Sequence, residues 1–180
     1  MKALLIAGAI ATLCFAATES RVSRATILAA ERTINERFAA VSADPYDVLG
    51  DAHGTYLEGY GTLFTNEVNL INSGTFSPNP FRPTISPQQI TLVHDRKVKK
   101  LAELKDMMRT LIMDTSSTLE GMPGNEKVAM ETILFSYSWE NSRGMPHRLF
   151  MSAEKQKLLA AKEAHASQSD LASIIEEQER

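Results

Sequence analysis

Cysteine is nearly absent from this sequence: Cys14 is the only one in 180 residues. A lone thiol closes no disulfide within the chain and builds no cysteine-based metal cluster. Stability therefore has to come from packing. Charge of one sign is missing as well, since 19 basic residues stand against 22 acidic ones, for a formal net charge of −3. That balance gives no whole-protein attraction to nucleic acid, and none is expected as a partner. No apolar run reaches the length that spans a bilayer, about 20 residues, the stretch from Ala3 to Phe15 included. Motifs for catalysis are missing too. There is no Gly-x-Ser-x-Gly elbow, Ser152-Ala153-Glu154-Lys155 lacks the companions of a Ser-x-x-Lys site, and Gly59-Tyr60-Gly61 lacks the third glycine and helix of a phosphate loop. No cofactor is expected.

What is present begins with an address. Met1-Lys2 followed by apolar and small residues from Ala3 to Phe15, with Cys14 and Ala16 at the −3 and −1 positions, has the form of a cleaved secretory signal over residues 1–16. The alternative is retention as an anchor. With cleavage after Ala16, the rest is an exported, cysteine-free chain with no transmembrane helix, extracytoplasmic in the periplasm or beyond.

A single domain is expected over residues 20–166. Val22, Ile27, Leu28, Ile34, Phe38 and Val41 recur at helical spacing, and Asp44-Pro45 ends that helix. The stretch from Asp51 to Ile71 reads as a hairpin turning at Glu58-Gly59. Gly59 and Gly61 there predict a bulge or a close backbone approach. The proline-rich residues Asn72–Pro87 form a linker. Ser86, Pro87 and Gln89 then spell a capping box, flanked by Ile85 and Ile90 as a hydrophobic staple, and open a helix running to about Leu119. Alternation over Lys127–Trp139 predicts a strand, His147–Met151 a short second one, and Ser152 the cap of a final helix to Ala166. Residues 167–180 read as a polar, fraying tail. The order α-β-β-α-β-(β)-α makes an α+β domain of two layers, a small mainly antiparallel sheet covered by a long helix.

Candidate sites are few. Tyr60 and Glu67, on the best-patterned strand, are the residues expected to bind a ligand or partner. His53, Glu58, His94 and His147 have no metal-ligand spacing, so no metal is expected. The run from His94 to Lys100 reads as a solvated helix face, with Asp95 and Lys99 one turn apart. Asp47, Asp51, Glu58 and Glu67 surround the hairpin and would allow acid–base hydrolysis if two of them converged.

The run Gly54-Thr55-Tyr56-Leu57-Glu58-Gly59-Tyr60-Gly61 with Phe64-Thr65-Asn66-Glu67-Val68 resembles the G-x-Y-L-x-G-Y-G-x-x-F-T-x-E-V core of a family of uncharacterised exported bacterial proteins. The resemblance implies a bacterial envelope location and supplies no activity. The sequence thus points to a non-enzymatic interaction or scaffolding domain that meets a protein partner or pairs as a homodimer. A carboxylate-dependent hydrolase acting on envelope material and a small-ligand binder remain the alternatives.

Overall fold

The computed structural model describes residues 22–41, 43–72 and 85–180; the expected signal and most of the proline-rich linker lie outside them. Chain order is α1 (Arg24–Ala39), β1 (Asp47–Leu57), β2 (Gly61–Asn69), α2 (Pro87–Thr118), β3 (Lys127–Leu134), β4 (Arg148–Glu154), α3 (Lys155–Glu163), α4 (Gln168–Ile174) and β5 (Glu176–Glu179). Among the described residues the strands form one open sheet in the order β1-β2-β3-β4-β5. Every neighbouring pair is antiparallel except β2–β3, which run parallel because α2 carries the chain back across the sheet. The α+β class is as the sequence indicates.

The helices share one side of the sheet. Ile27, Ala30, Ile34 and Phe38 of α1, Leu104, Met108, Leu111 and Ile112 of α2, Leu158 of α3 and Leu171 of α4 join one core with Phe64, Val68, Val128, Met130, Leu149 and Met151. Within β2, β3 and β4, the residues alternating with these core positions are mostly half-buried or exposed. No helix among the described residues covers that second face.

The start of α2 is as its sequence dictates. Ser86 Oγ accepts from Gln89 N at 3.3 Å, and Gln89 Oε1 accepts from Ser86 N at 3.0 Å. At the other flank, α1 closes the free edge of β1. Glu31 Oε1 accepts from Gly54 N at 2.7 Å and Asn35 Oδ1 from Ala52 N at 2.8 Å, so two edge donors in the middle of β1 are occupied.

Three expectations need correction. The third strand stops at Leu134 rather than Trp139: Phe135 N still bonds to Val68 O, but β2 ends at Asn69 and offers nothing further to pair with. Ser152 caps no helix, since it lies inside β4, and α3 begins after Glu154 without a side-chain cap. The close backbone approach expected around Gly59 and Gly61 is found at Gly61, against Lys127, and the register shifts of the hairpin lie in β1, between Val48 and Gly50 and between Gly50 and His53. Finally, residues 167–180 do not fray. Ser167 and Asp170 form a capping box, Leu171 and Ile175 enter the core, and β5 pairs with β4.

β5 is a strand of poor strand formers, Glu176-Glu177-Gln178-Glu179, and none of them is buried. Charges from other elements hold it beside the ladder. Glu177 meets Lys105 and Arg109 of α2, each at 2.7 Å, Glu176 meets Lys127 at 2.7 Å, and Glu179 also pairs with Lys105. Burial alone pushes the Glu177 carboxyl up, but the hydrogen bonds and charges of Lys105 and Arg109 outweigh it and hold the group below its ordinary value of 4.5. A carboxyl lowered by folding stabilises fully above its unfolded value and loses that contribution as pH falls through the folded one. β5 should therefore loosen as pH drops below 4.5, seen as lost amide protection at Gln178 and Arg180, whose N–H groups face β4. Glu177→Gln should remove this part of the acid sensitivity, about 1 kcal/mol for a partly solvated network. Equal acid loosening in wild type and Glu177→Gln would refute the assignment.

The turn between α3 and α4 carries the one non-glycine residue with positive φ among those described, His165 at 50°. It closes a Schellman turn: Ala166 N bonds to Ala161 O at 2.9 Å and His165 N to Lys162 O at 3.1 Å. Glycine occupies this position without the left-handed penalty of about 1 kcal/mol. His165→Gly should raise stability by about 0.5 kcal/mol once the freer unfolded chain is discounted. A lower denaturation midpoint for this variant would contradict that account.

Candidate functional site

One face of the sheet is left without a covering helix among the described residues. Cross-strand register sets its residues in rows. One row runs Gly50, Glu67, Ile133, Arg148, and Arg180 extends it through backbone bonds with Arg148 at 2.9 and 3.0 Å. The neighbouring row runs His53, Thr65, Glu131, Phe150, Gln178. Two shallow depressions lie along these rows. Gly50, Asp51, His53, Thr65, Glu67 and Ile133 line one of about 200 Å³. Glu131, Arg148, Phe150, Gln178 and Arg180 line another of about 300 Å³. Along the first row the face is thus acidic at Glu67, apolar at Ile133 and basic at Arg148 and Arg180, while Glu154 and Glu176 add acidic groups farther along β4 and β5.

Most charges at its far end are paired. Arg148 reaches Glu131 at 3.4 Å. The Glu176 hydrogen bond holds Lys127 above the usual lysine range, and the same bond holds Glu176 below the usual carboxylate range.

Glu67 lies on this face; Tyr60 does not accompany it. Tyr60 sits in the hairpin turn, 39% exposed, with its carbonyl accepting from Lys127 N at 2.8 Å. Seven residues of extended chain, about 23 Å, separate the two, so they do not form one site. The hairpin carboxylates divide in the same way: Asp51 and Glu67 share a depression, whereas Asp47 opens β1 and Glu58 lies in the turn. His53 stands by Asp51 and Glu67, while His94 bonds through Nδ1 to Asn141 O at 2.8 Å and His147 lies beside β4. Among the described residues no three histidine, cysteine, aspartate or glutamate side chains are gathered to hold a metal ion.

The basic run on α2 is a solvated face only in part: Asp95, Arg96 and Lys99 are exposed, but two of its lysines are not. Lys97 and Lys100 are buried: Lys97 pairs with Glu140, and Lys100 donates to Asp44 O at 2.5 Å, meets Glu103 at 3.1 Å and lies 4.6 Å from the centre of the Tyr46 ring. No ion pair joins Asp95 to Lys99 among the described residues. Burial, with the nearby charges of Glu103 and Asp44, raises the Tyr46 phenol well above its ordinary range. These groups form a structural bracket between α2 and the chain after α1.

Other buried carboxylates are similarly engaged. Glu126 Oε1 accepts from Tyr56 Oη at 3.2 Å and Gly59 N at 3.1 Å, fastening the hairpin turn, and Glu31 holds Arg24 at 2.9 Å besides Gly54 N. Sequence reasoning missed Ile133, Arg148 and Phe150 as members of a shared surface. The alternation of β3 and β4 was a usable signal for which face each occupies, but not for their alignment with Glu67.

Comparison of the chain with protein-family models, curated proteins and solved structures returns no match to any of them.

Proposed function

We propose that this protein is a non-enzymatic, extracytoplasmic interaction domain of the bacterial envelope that docks a protein partner on the uncovered face of its sheet. The observation that carries the reading is the row Glu67, Ile133, Arg148, where an apolar centre stands between opposite charges on rigid strands. Charged flanks that fix orientation around a less polar centre suit protein recognition. The form of residues 1–16 and the resemblance around Gly54–Val68 support export. Engagement of Glu31, Glu126 and Glu140 with amides, a phenol or cations supports a structural rather than a catalytic use of the buried acids. No helix among the described residues is long and apolar enough to cross a membrane.

A photo-crosslinking amino acid at Ile133 should capture a protein in living cells, and one at exposed Ala102 on α2 should not. Capture from Ala102 alone would sink the proposal. A second reading, small-ligand binding or carboxylate-dependent hydrolysis, is favoured by the depression holding Asp51, His53 and Glu67. It requires thermal stabilisation by an envelope metabolite that Glu67→Gln abolishes.

A further inference from the structure

The row through Ile133 is antisymmetric in charge. Ile133 lies on the central strand, the Glu67 carboxylate one strand to one side, and the Arg148 guanidinium one strand to the other. At about 4.8 Å per strand these charges are equally displaced from the middle. A half-turn about an axis lying along β3 and in the plane of contact places Ile133 on its own copy. The same rotation sets each Glu67 opposite Arg148 of the other molecule. We infer that the uncovered face seats a second copy of this chain, packed sheet on sheet as an isologous dimer.

The rest of the face agrees with that rotation. Phe150 comes opposite Thr65 and Leu63 opposite the buried Ser152, so two large side chains meet small ones, and the buried Ala129 comes opposite itself. Two like-charged meetings result, Glu131 and Lys127 each with its own copy. Each already has a counter-ion on its own sheet, Arg148 at 3.4 Å and Glu176 at 2.7 Å. The rotation of about 30° usual between aligned sheets separates them further. Five strands, with about eight residues along each, give a face of roughly 24 by 27 Å, about 650 Å² per copy. A standard interface takes about 800 Å² per partner, so the area suits a modest, reversible dimer. A neutral or single-signed partner would leave one of the two charged flanks unanswered; a second copy answers both.

The inference rests on the face being an interaction surface, and the test separates the two. Light scattering of the purified protein from about 1 µM to 1 mM should show a monomer–dimer equilibrium that weakens with salt. Ile133→Lys should weaken dimerisation about a hundredfold without moving the unfolding midpoint of the dilute protein. Glu67→Arg and Arg148→Glu should each weaken it about tenfold, and the doubly exchanged protein should recover most of the loss. A protein monomeric at 1 mM, or a dimer indifferent to Ile133→Lys, overturns the inference. Photo-crosslinking from Ile133 distinguishes the levels. An adduct of twice the chain mass supports the second copy, an adduct with a different protein overturns it but keeps the interaction face, and no adduct overturns both.

Discussion

An alanine at Gly61 is expected to destabilise the fold by about 4 kcal/mol. Gly61 opens β2 at φ 129°, and a Cβ there would lie 1.9 Å from Lys127 O and 2.7 Å from Lys127 N. Both atoms belong to backbone, so no side chain can swing aside. The segment they belong to is itself fixed, because Lys127 N donates to Tyr60 O at 2.8 Å and Gly61 pairs with Lys127 where the parallel ladder begins. The expected loss combines an unfavourable backbone region, about 1–3 kcal/mol, with forced displacement of packed atoms, again about 1–3 kcal/mol. Gly59 supplies the control. Its φ is 81°, but a Cβ there meets nothing within 4 Å, so Gly59→Ala carries only the conformational part, about 1 kcal/mol. Denaturant unfolding of both variants measures the difference directly, provided that the slope is unchanged. If Gly61→Ala fell within about 1 kcal/mol of Gly59→Ala, the collision would not be real. The seam between β2 and β3 matters because it alone joins the hairpin to the rest of the sheet.

The Gly61 contact was legible in outline, and the reason shows what a sequence of this kind can reveal. Two glycines spaced across a strand start ask for something that side chains would obstruct, and one of them meets a neighbouring backbone. The cap of α2 was legible because Ser86, Pro87 and Gln89 satisfy one another within four residues. The errors share the opposite property. Apolar alternation continues through Tyr137 and Trp139, but a strand lasts only as long as its partner, and β2 ends at Asn69. β5 is unreadable as a strand because its stabilising charges, Lys105, Arg109 and Lys127, lie about fifty residues or more away in the chain. Lys97 and Lys100 looked solvated for the same reason, since Glu140 and the carbonyl of Asp44 become neighbours only after folding. The candidate surface is the extreme case: Glu67, Ile133 and Arg148 are adjacent only through strand order and register. Tyr60 and Glu67, close in sequence, are held far apart by the straightness of one strand.

Removing the carboxylate of Glu140 should cost about 3–5 kcal/mol, the scale for a buried charge that loses its counter-ion. The Lys97 and Glu140 side chains are only 5% and 2% exposed. In Glu140→Ala the Lys97 ammonium would keep one neutral acceptor, the Phe135 carbonyl at 3.3 Å, which cannot replace a carboxylate in a dry site. The pair itself need not be strongly stabilising, because taking both ions out of water offsets most of their attraction. The double variant Lys97→Met with Glu140→Leu should therefore lie within about 1 kcal/mol of the parent protein, far above Glu140→Ala. The damage in Glu140→Ala should also be local at first. Glu140 holds the loop after β3 against α2, beside the bond between His94 Nδ1 and Asn141 O, and the loop carries Trp139 stacked on Tyr137. Trp139 is the only tryptophan in the sequence, so its emission reports that loop alone. A red shift of that emission at denaturant concentrations where the helical signal is still intact is expected for Glu140→Ala and not for the double variant. If the double variant proved as unstable as Glu140→Ala, the loss would come from packing rather than from a stranded charge.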